Sequence, residues 1–203
     1  MSSESLLRGR AARIVKRLFD VGASTAVLGF GWPVMVGVAT AIRATSSGPV
    51  FFIQERAGRG GRPFRMYKFR TMTHRPDKAQ TLDWSSEEAA AVTPIGSFLR
   101  DYGLDELPQV LNILKGEMSV IGPRPTLPRQ AEEFCEREKR MLDMRPGVLS
   151  LAAIRGRRGI SMSERYELHA QYVDTWSLLL DLEILIKSAV VVLGRQNAVE
   201  KTV

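Results

Sequence analysis

Two adjacent carboxylates, Asp105 and Glu106, stand between two arginines, Arg100 and Arg124, within the stretch LRDYGLDELPQVLNILKGEMSVIGPRP. Carboxylates and phosphates repel each other, so acids placed among guanidinium forks are equipment for handling phosphate with cations in between. Asp105 is placed to N-cap a helix and Glu106 falls in its first turn, where Pro108 is tolerated because first-turn amides have no intrahelical partner. Leu107, Val110, Leu111 and Leu114 come next at helical spacing and predict a buried apolar face, closed by Gly116 in the left-handed conformation. A helix N-terminus carries roughly half a positive charge and free N–H groups, which favours an anion beside the acids. Taken alone, an Asp-Glu pair reads as a capping acid and its solvated neighbour. The turn Gly122-Pro123-Arg124-Pro125 argues for more, because its two prolines fix the backbone around an arginine.

The elements that must position these groups begin with Val21 to Ile42, a run without a charged residue that is long enough to cross a hydrocarbon core. Pro33 lies in its middle after Gly29 and Gly31, which predicts a broken or kinked helix. Arg8, Arg10, Arg13, Lys16 and Arg17 precede the run, while Arg43, Arg56, Arg59 and Arg62 come after it. Basic residues on both flanks conflict with the positive-inside rule for a crossing segment and fit a hairpin that enters and leaves through one face. A spanning anchor and a buried core helix are the other readings, and a cleaved signal peptide lacks a small-residue cleavage site.

Next, Val50 to Gln54 and Phe64 to Phe69 read as two strands of a hairpin joined by a glycine-rich turn. The glycines do not make a nucleotide P-loop, because no Gly-Lys-Ser/Thr and no helix come after them. Residues 74–91 are polar and aperiodic, as expected of a mobile loop near a site. Leu127 to Met144 reads as a charged amphipathic helix ended by Arg145-Pro146-Gly147, and Val148 to Ile154 as an apolar run before the basic cluster Arg155, Arg157 and Arg158. Ser161 with Glu164 forms a capping box for a helix to Thr175. A last helix, Trp176 to Leu193, is interrupted by Asp181, Glu183 and Lys187, so it is expected to lie in the membrane surface or on the core and not to span.

The 203 residues suffice for one domain with a core, and no linker or repeat divides them. A formal charge of +7 points to an anionic partner: nucleic acid, an acidic membrane surface or a phosphorylated substrate. No nucleic-acid-binding motif is present. The single cysteine, Cys135, excludes an intramolecular disulfide and sits without a histidine nearby, as a structural residue does.

Leu104 to Gln109 (LDELPQ), Asn112 to Gly116 (N-x-LKG) and Gly122 to Pro125 (GPRP) together resemble the monotopic phosphoglycosyl transferases, the bacterial sugar transferases. The segment Lys68 to Met72, KFRTM, also looks like this family, and the resemblance runs from about Lys16 to Val192. It implies an α+β, mainly helical fold: a re-entrant membrane helix hairpin, a short β-hairpin and amphipathic surface helices around one catalytic core. One domain is expected over 1–203, with 1–47 the basic N-terminus and re-entrant helix and 48–203 a cytoplasmic catalytic part, in the small form without the extra membrane helices and N-terminal domain of larger relatives. The implied reaction moves a phosphosugar from a UDP-sugar to polyprenyl (undecaprenyl) phosphate, releasing UMP, as a first membrane step of bacterial glycoconjugate assembly.

In that chemistry Asp105 is the nucleophile that forms an aspartyl-phosphosugar, and Glu106 assists with metal or proton handling. Mg²⁺ is expected on Asp105 and Glu106. Arg100, Arg124, Lys68 and Arg70, with Pro123 and Pro125 shaping the turn, are expected to hold substrate. The expected partners are a UDP-sugar, polyprenyl phosphate and membrane lipid, with no nucleic acid and homodimerisation left open, at the cytoplasmic face of the bacterial inner membrane. The alternative is a non-catalytic basic membrane scaffold, which gives no reason for acids and arginines about a rigid Pro-Arg-Pro turn. This chain departs from the family at three places: Trp32 precedes Pro33 where relatives have Ser, Pro146 to Arg157 reads PGVLSLAAIRGR where relatives resemble PGITGWAQVNGR, and His169 stands where relatives have Asp. The last two lie in the region of the family's nucleotide and sugar.

Overall fold

The uncharged run belongs to one long helix, α1 (Ser3–Thr45), in the computed structural model, which describes residues 3–73, 92–155 and 160–194. Helical conformation continues through Pro33, so the break expected there is absent. A proline removes one backbone hydrogen bond and costs about 3 kcal/mol, which a long helix with both ends fastened can absorb. Lys16, Asp20 and Ser24, four residues apart, are buried along one face, and further on Met35, Val38 and Ala39 pack against a cluster of Ile42, Phe69 and Leu99. The other face is apolar and bare: Leu18 is 68% exposed, Phe30 88% and Trp32 58%. Among the described residues, α1 is the one helix long and apolar enough to cross a membrane by length and composition.

Strands β1 (Phe51–Ala57) and β2 (Pro63–Phe69) form the expected hairpin, longer than the sequence indicated, with Phe51 opposite Phe69 and Ala57 opposite Pro63. Gly58 N donates to Arg62 O at 2.8 Å to close its turn. Thr93 Oγ1 accepts from Gly96 N and so caps α2 (Pro94–Asp101). A 3-10 segment, Leu104–Gln109, leads into the short α3 (Val110–Lys115), and Gly116 ends it at φ 82° as expected. Strand β3 (Ser119–Ile121) then pairs in parallel with β4 (Gly147–Leu149).

Between these strands the single helix expected over Leu127 to Met144 is replaced by α4 (Pro128–Glu132), α5 (Glu136–Lys139) and a 3-10 turn, Arg140–Asp143. Local forces explain the interruption. Phe134 is buried edge-on against Tyr166, and Glu138 Oε2 accepts from Cys135 N to start a new helix. The chain continues through α6 (Leu151–Arg155), α7 (Met162–Thr175) with its Ser161–Glu164 capping box, and α8 (Leu178–Gly194). The structure is therefore mainly helical with a short antiparallel hairpin and one long apolar N-terminal helix. The polar stretch 74–91 and the cluster residues Arg157 and Arg158 lie outside the described residues.

Polar side chains fasten α1 to the rest. Lys16 Nζ donates to Asp181 Oδ2 (2.7 Å) and Ile121 O (2.8 Å), while Tyr172 Oη and Trp176 Nε1 also donate to Asp181. Asp20 Oδ1 accepts from Ser119 Oγ and Val120 N, both at 2.9 Å. Arg17 donates to Ile113 O and Leu114 O, carbonyls at the α3 C-terminus, where a cation is electrostatically favoured.

Candidate active site

The acid pair lies in the 3-10 segment, not at a helix cap. Gly103, at φ 68°, occupies the capping position, and Asp105 is buried at the second residue of the segment without a capping hydrogen bond. The change of period moves the apolar pattern as well. Three residues per turn in place of 3.6 rotate the downstream side chains, so Val110, Asn112 and Ile113 are buried while Leu111 is 39% exposed. Leu107, Val110, Leu111 and Leu114 are thus not one buried face.

Asn112 fixes this segment against the hairpin. Its Nδ2 donates to Arg65 O (2.6 Å) and Glu117 Oε2 (2.7 Å), and its Oδ1 accepts from Tyr67 N (3.1 Å). The fully buried amide therefore uses its donors and acceptor to hold β2 beside the acids. Neighbouring Lys68 consequently reaches Glu106, Nζ to Oε1 at 2.8 Å.

Arg124 arrives from the opposite side. Its Nη2 lies 2.5 Å from Glu106 Oε1 and its Nη1 3.4 Å from Oε2, a two-pronged contact. The Pro-Arg-Pro turn is clamped by Gly122 N donating to Leu149 O, Gly147 N to Pro123 O and Ala57 N to Thr126 O, each within 3 Å. Arg56 Nη1 reaches Pro125 O at 3.4 Å. Gly122 has no room for a side chain, because a Cβ would sit 2.5 Å from Arg145 O. Arg100, through Nε, donates to Thr71 Oγ1 at 2.9 Å and lies near enough to Asp105 to favour its ionised form.

Glu106 and Asp105 are adjacent but electrostatically unlike. Burial pushes Glu106 upward, yet Arg124 and Lys68 outweigh it and hold the carboxyl at about 2. For Asp105 burial prevails: it raises the pKa, Lys68 opposes it, Glu106 adds to the rise, and Arg124 and Arg100 pull downward. Lys68 is lowered by burial and by Arg124, against the upward pull of Glu106. Two neighbouring acids with separated proton affinities commonly divide roles. Glu106 has both oxygens committed to cations, whereas among the described residues no side chain donates a hydrogen bond to the Asp105 carboxylate.

Lys68, Arg100 and Arg124 thus surround the acid pair as expected, with Pro123 and Pro125 buried in the clamped turn. Arg70 does not join them. It donates to Ser46 O, Ser46 Oγ and Ser47 O, just past the end of α1, and acts as a buried strut. The KFRT segment carried the missed residue too: Thr71, which orients Arg100. As for a metal, no group of three or more His, Cys, Asp or Glu gathers among the described residues. Glu106 is a poor fit because a divalent ion there would face Lys68 and Arg124, while Asp105 fits as a single open carboxylate. His169 is 1% exposed, neither ring nitrogen has a partner among the described residues, and burial, with Arg124 and Arg165, pushes it down to about 4.

The chain is similar to known proteins over most of its length. The family model described as "Bacterial sugar transferase" matches residues 11–195. The chain is 40% identical to the uncharacterized sugar transferase EpsL of Bacillus subtilis, covering 85% of this chain and 84% of that protein. It is 38% identical to a UDP-glucose:undecaprenyl-phosphate glucose-1-phosphate transferase of Xanthomonas campestris, over 91% of this chain and 40% of the relative. It is 33% identical to an undecaprenyl-phosphate galactose phosphotransferase of Salmonella typhimurium, over 95% of this chain and 43% of the relative. The chain therefore spans less than half the length of these last two relatives.

Proposed function

This chain belongs to the bacterial sugar transferase family, and we propose that it moves a sugar 1-phosphate from a UDP-sugar to undecaprenyl phosphate, releasing UMP. The observation that carries this reading is the Asp105 carboxylate: buried, without a side-chain hydrogen bond among the described residues, and adjacent to a glutamate that draws Lys68 and Arg124 to its side. An Asp105 oxygen attacks the phosphorus that bears the sugar. That O–P bond forms as the bridging P–O bond of the diphosphate breaks, and UMP leaves with the electron pair. The lipid phosphate oxygen then attacks the same phosphorus, the bond to Asp105 breaks, and the carboxylate is regenerated.

Arg124, Lys68 and Arg100 hold phosphoryl oxygens, and Glu106 keeps the first two in place. Displacement at phosphorus asks little of a protein beyond positioning and charge. Mg²⁺, held by Asp105 and diphosphate oxygens, would supply neutralisation of the leaving group.

The setting we infer is the cytoplasmic face of a bacterial membrane, in glycoconjugate assembly, with both ends of α1 held by the catalytic body on that one face. Support comes from both ends of α1. Arg17 and Ile42 grip the same catalytic body, yet 25 residues of helix between them span about 37 Å, more than the roughly 30 Å hydrocarbon core. A straight crossing would need that body on both sides.

The test is a screen of UDP-sugars with the purified protein. One UDP-sugar should release a stoichiometric burst of UMP and leave a phosphosugar adduct on Asp105 by mass spectrometry, with turnover only when undecaprenyl phosphate is added. UMP release strictly dependent on lipid, with no adduct, would overturn the covalent route. No release from any UDP-sugar would overturn the transferase reading.

A further inference from the structure

An open groove of about 560 Å³ lies between the β-hairpin and α3, lined by Phe51, Ile53, Tyr67, Pro108, Leu111 and Leu114. Its walls are apolar and partly bare: Phe51 is 44% exposed, Ile53 52% and Leu111 39%. Apolar surface of this kind in one concavity marks a binding groove. The backbone offers little to a polar ligand, since Tyr67 N is already spent on Asn112. Lys115 lies along the edge, its Nζ 4.7 Å from the Tyr67 ring centre and 3.0 Å from the Tyr67 hydroxyl, so its stem extends the apolar wall.

The groove wall includes Pro108, three residues beyond Asp105 in the same 3-10 segment. Three residues per turn put Asp105 and Pro108 on one side of the 3-10 segment, and Leu111 and Leu114 continue at the same interval along the groove wall. From Asp105 to Leu114 that column rises about 15 Å, at 2.0 Å per residue in the 3-10 part and 1.5 Å in the α part. One end of the column is a cation-rich site, with Lys68 and Arg124 at 2.8 and 2.5 Å from Glu106. The other end is hydrocarbon. A ligand that matches both ends has an anionic head and an apolar tail.

We propose that this groove holds the first isoprenoid units of the polyprenyl phosphate acceptor, with the acceptor phosphate presented at Asp105. The assignment rests on the transferase reading above. It gives donor and acceptor different approaches: the nucleotide, rich in hydrogen-bonding groups, meets mostly apolar walls in the groove, and the isoprenoid chain needs no polar partner. Leu111 of α3 and Ile53 of β1 both line the groove and are exposed, so polar replacements there leave the core intact.

The experiment measures Leu111→Gln and Ile53→Gln against wild type with undecaprenyl phosphate and with a short, water-soluble prenyl phosphate. Both variants should raise the KM for undecaprenyl phosphate about tenfold, with little change for the short acceptor. The UMP burst without acceptor and binding to phosphatidylethanolamine–phosphatidylglycerol vesicles should match wild type. An unchanged long-chain KM in both variants overturns the proposal, as does an equal loss with the short acceptor. Weakened vesicle binding with a normal KM also overturns it, because the groove then faces bulk bilayer lipid. If wild type itself releases no UMP, the functional reading has failed and the groove assignment falls with it; wild-type turnover beside unaltered variants sinks the groove alone.

Discussion

Asp181 and Asp105 are almost equally buried, at 7% and 8% exposure, and each lies near a lysine, yet they are built for opposite ends. Asp181 accepts from Lys16, Tyr172 and Trp176, so both of its oxygens are satisfied. Asp105 accepts from no side chain among the described residues, because its neighbour Glu106 has taken Lys68 and Arg124. A saturated buried carboxylate holds elements together. An unsaturated one is held ready by elements that are secured elsewhere.

The sharpest way to break this contrast is to neutralise each acid. Asp105→Asn should lower UMP release by on the order of 10³-fold or more, since an amide cannot serve as the nucleophile, while thermal unfolding shows no loss of stability. Near-wild-type release would remove the contrast altogether. Asp181→Leu should do the reverse, leaving Lys16 buried without a counter-charge at a cost of about 3–5 kcal/mol, read as lost folded protein in detergent. The double variant Lys16→Met, Asp181→Leu should recover much of that loss.

Arg124→Lys is a smaller perturbation. It keeps the charge but not the two-pronged grip on Glu106, and should reduce kcat/KM roughly 10- to 100-fold with the fold unaltered. Full activity in this variant would reduce Arg124 to a general positive field.

The mildest probe is pH. Asp105 is raised, so activity should fall on the acid side at a pH above the ordinary aspartate value of about 3.9. Glu106 is depressed to about 2, so its ion pairs contribute stability above the unfolded value of 4.5 and lose it as pH falls from there toward 2. Activity should therefore be lost at a higher pH than that at which Glu106 completes its protonation. Glu106→Gln should flatten the stability profile below pH 4.5, and coincident loss of activity and stability in wild type would show that the two acids are not separated.

Features legible in the sequence and features hidden in it divide by range. The Ser161–Glu164 capping box, the β-hairpin and the Gly116 helix end are decided by residues a few positions apart, and each was legible. The acid pair, Lys68 and Arg124 were legible from motifs. The saturated acid was not: Lys16 and Asp181 meet across 165 residues, and nothing local in either segment announces it. The parallel β3–β4 pair was hidden for the same reason, being two three-residue strands far apart in the chain. The 3-10 form of Leu104–Gln109 was missed for a different one, since its leucine spacing suits an α-helix and only the packing of Asn112 onto β2 reveals otherwise. Arg70 had the right type in the right motif but was claimed by carbonyls beyond α1.

Arg17 caps the C-terminal end of α3 with hydrogen bonds of 2.6 and 3.0 Å, and Asp20 takes the Ser119 and Val120 donors at the start of β3. The long helix is consequently no detachable tether. Excising it to obtain a free-standing soluble protein would take Arg17 from the carbonyls of α3, Asp20 from the amide of Val120 and Lys16 from the carboxylate of Asp181 in one cut. What biochemists would treat as a purification handicap is a supporting wall of the candidate active site, and detergents or nanodiscs, not truncation, are the route to an intact protein in solution.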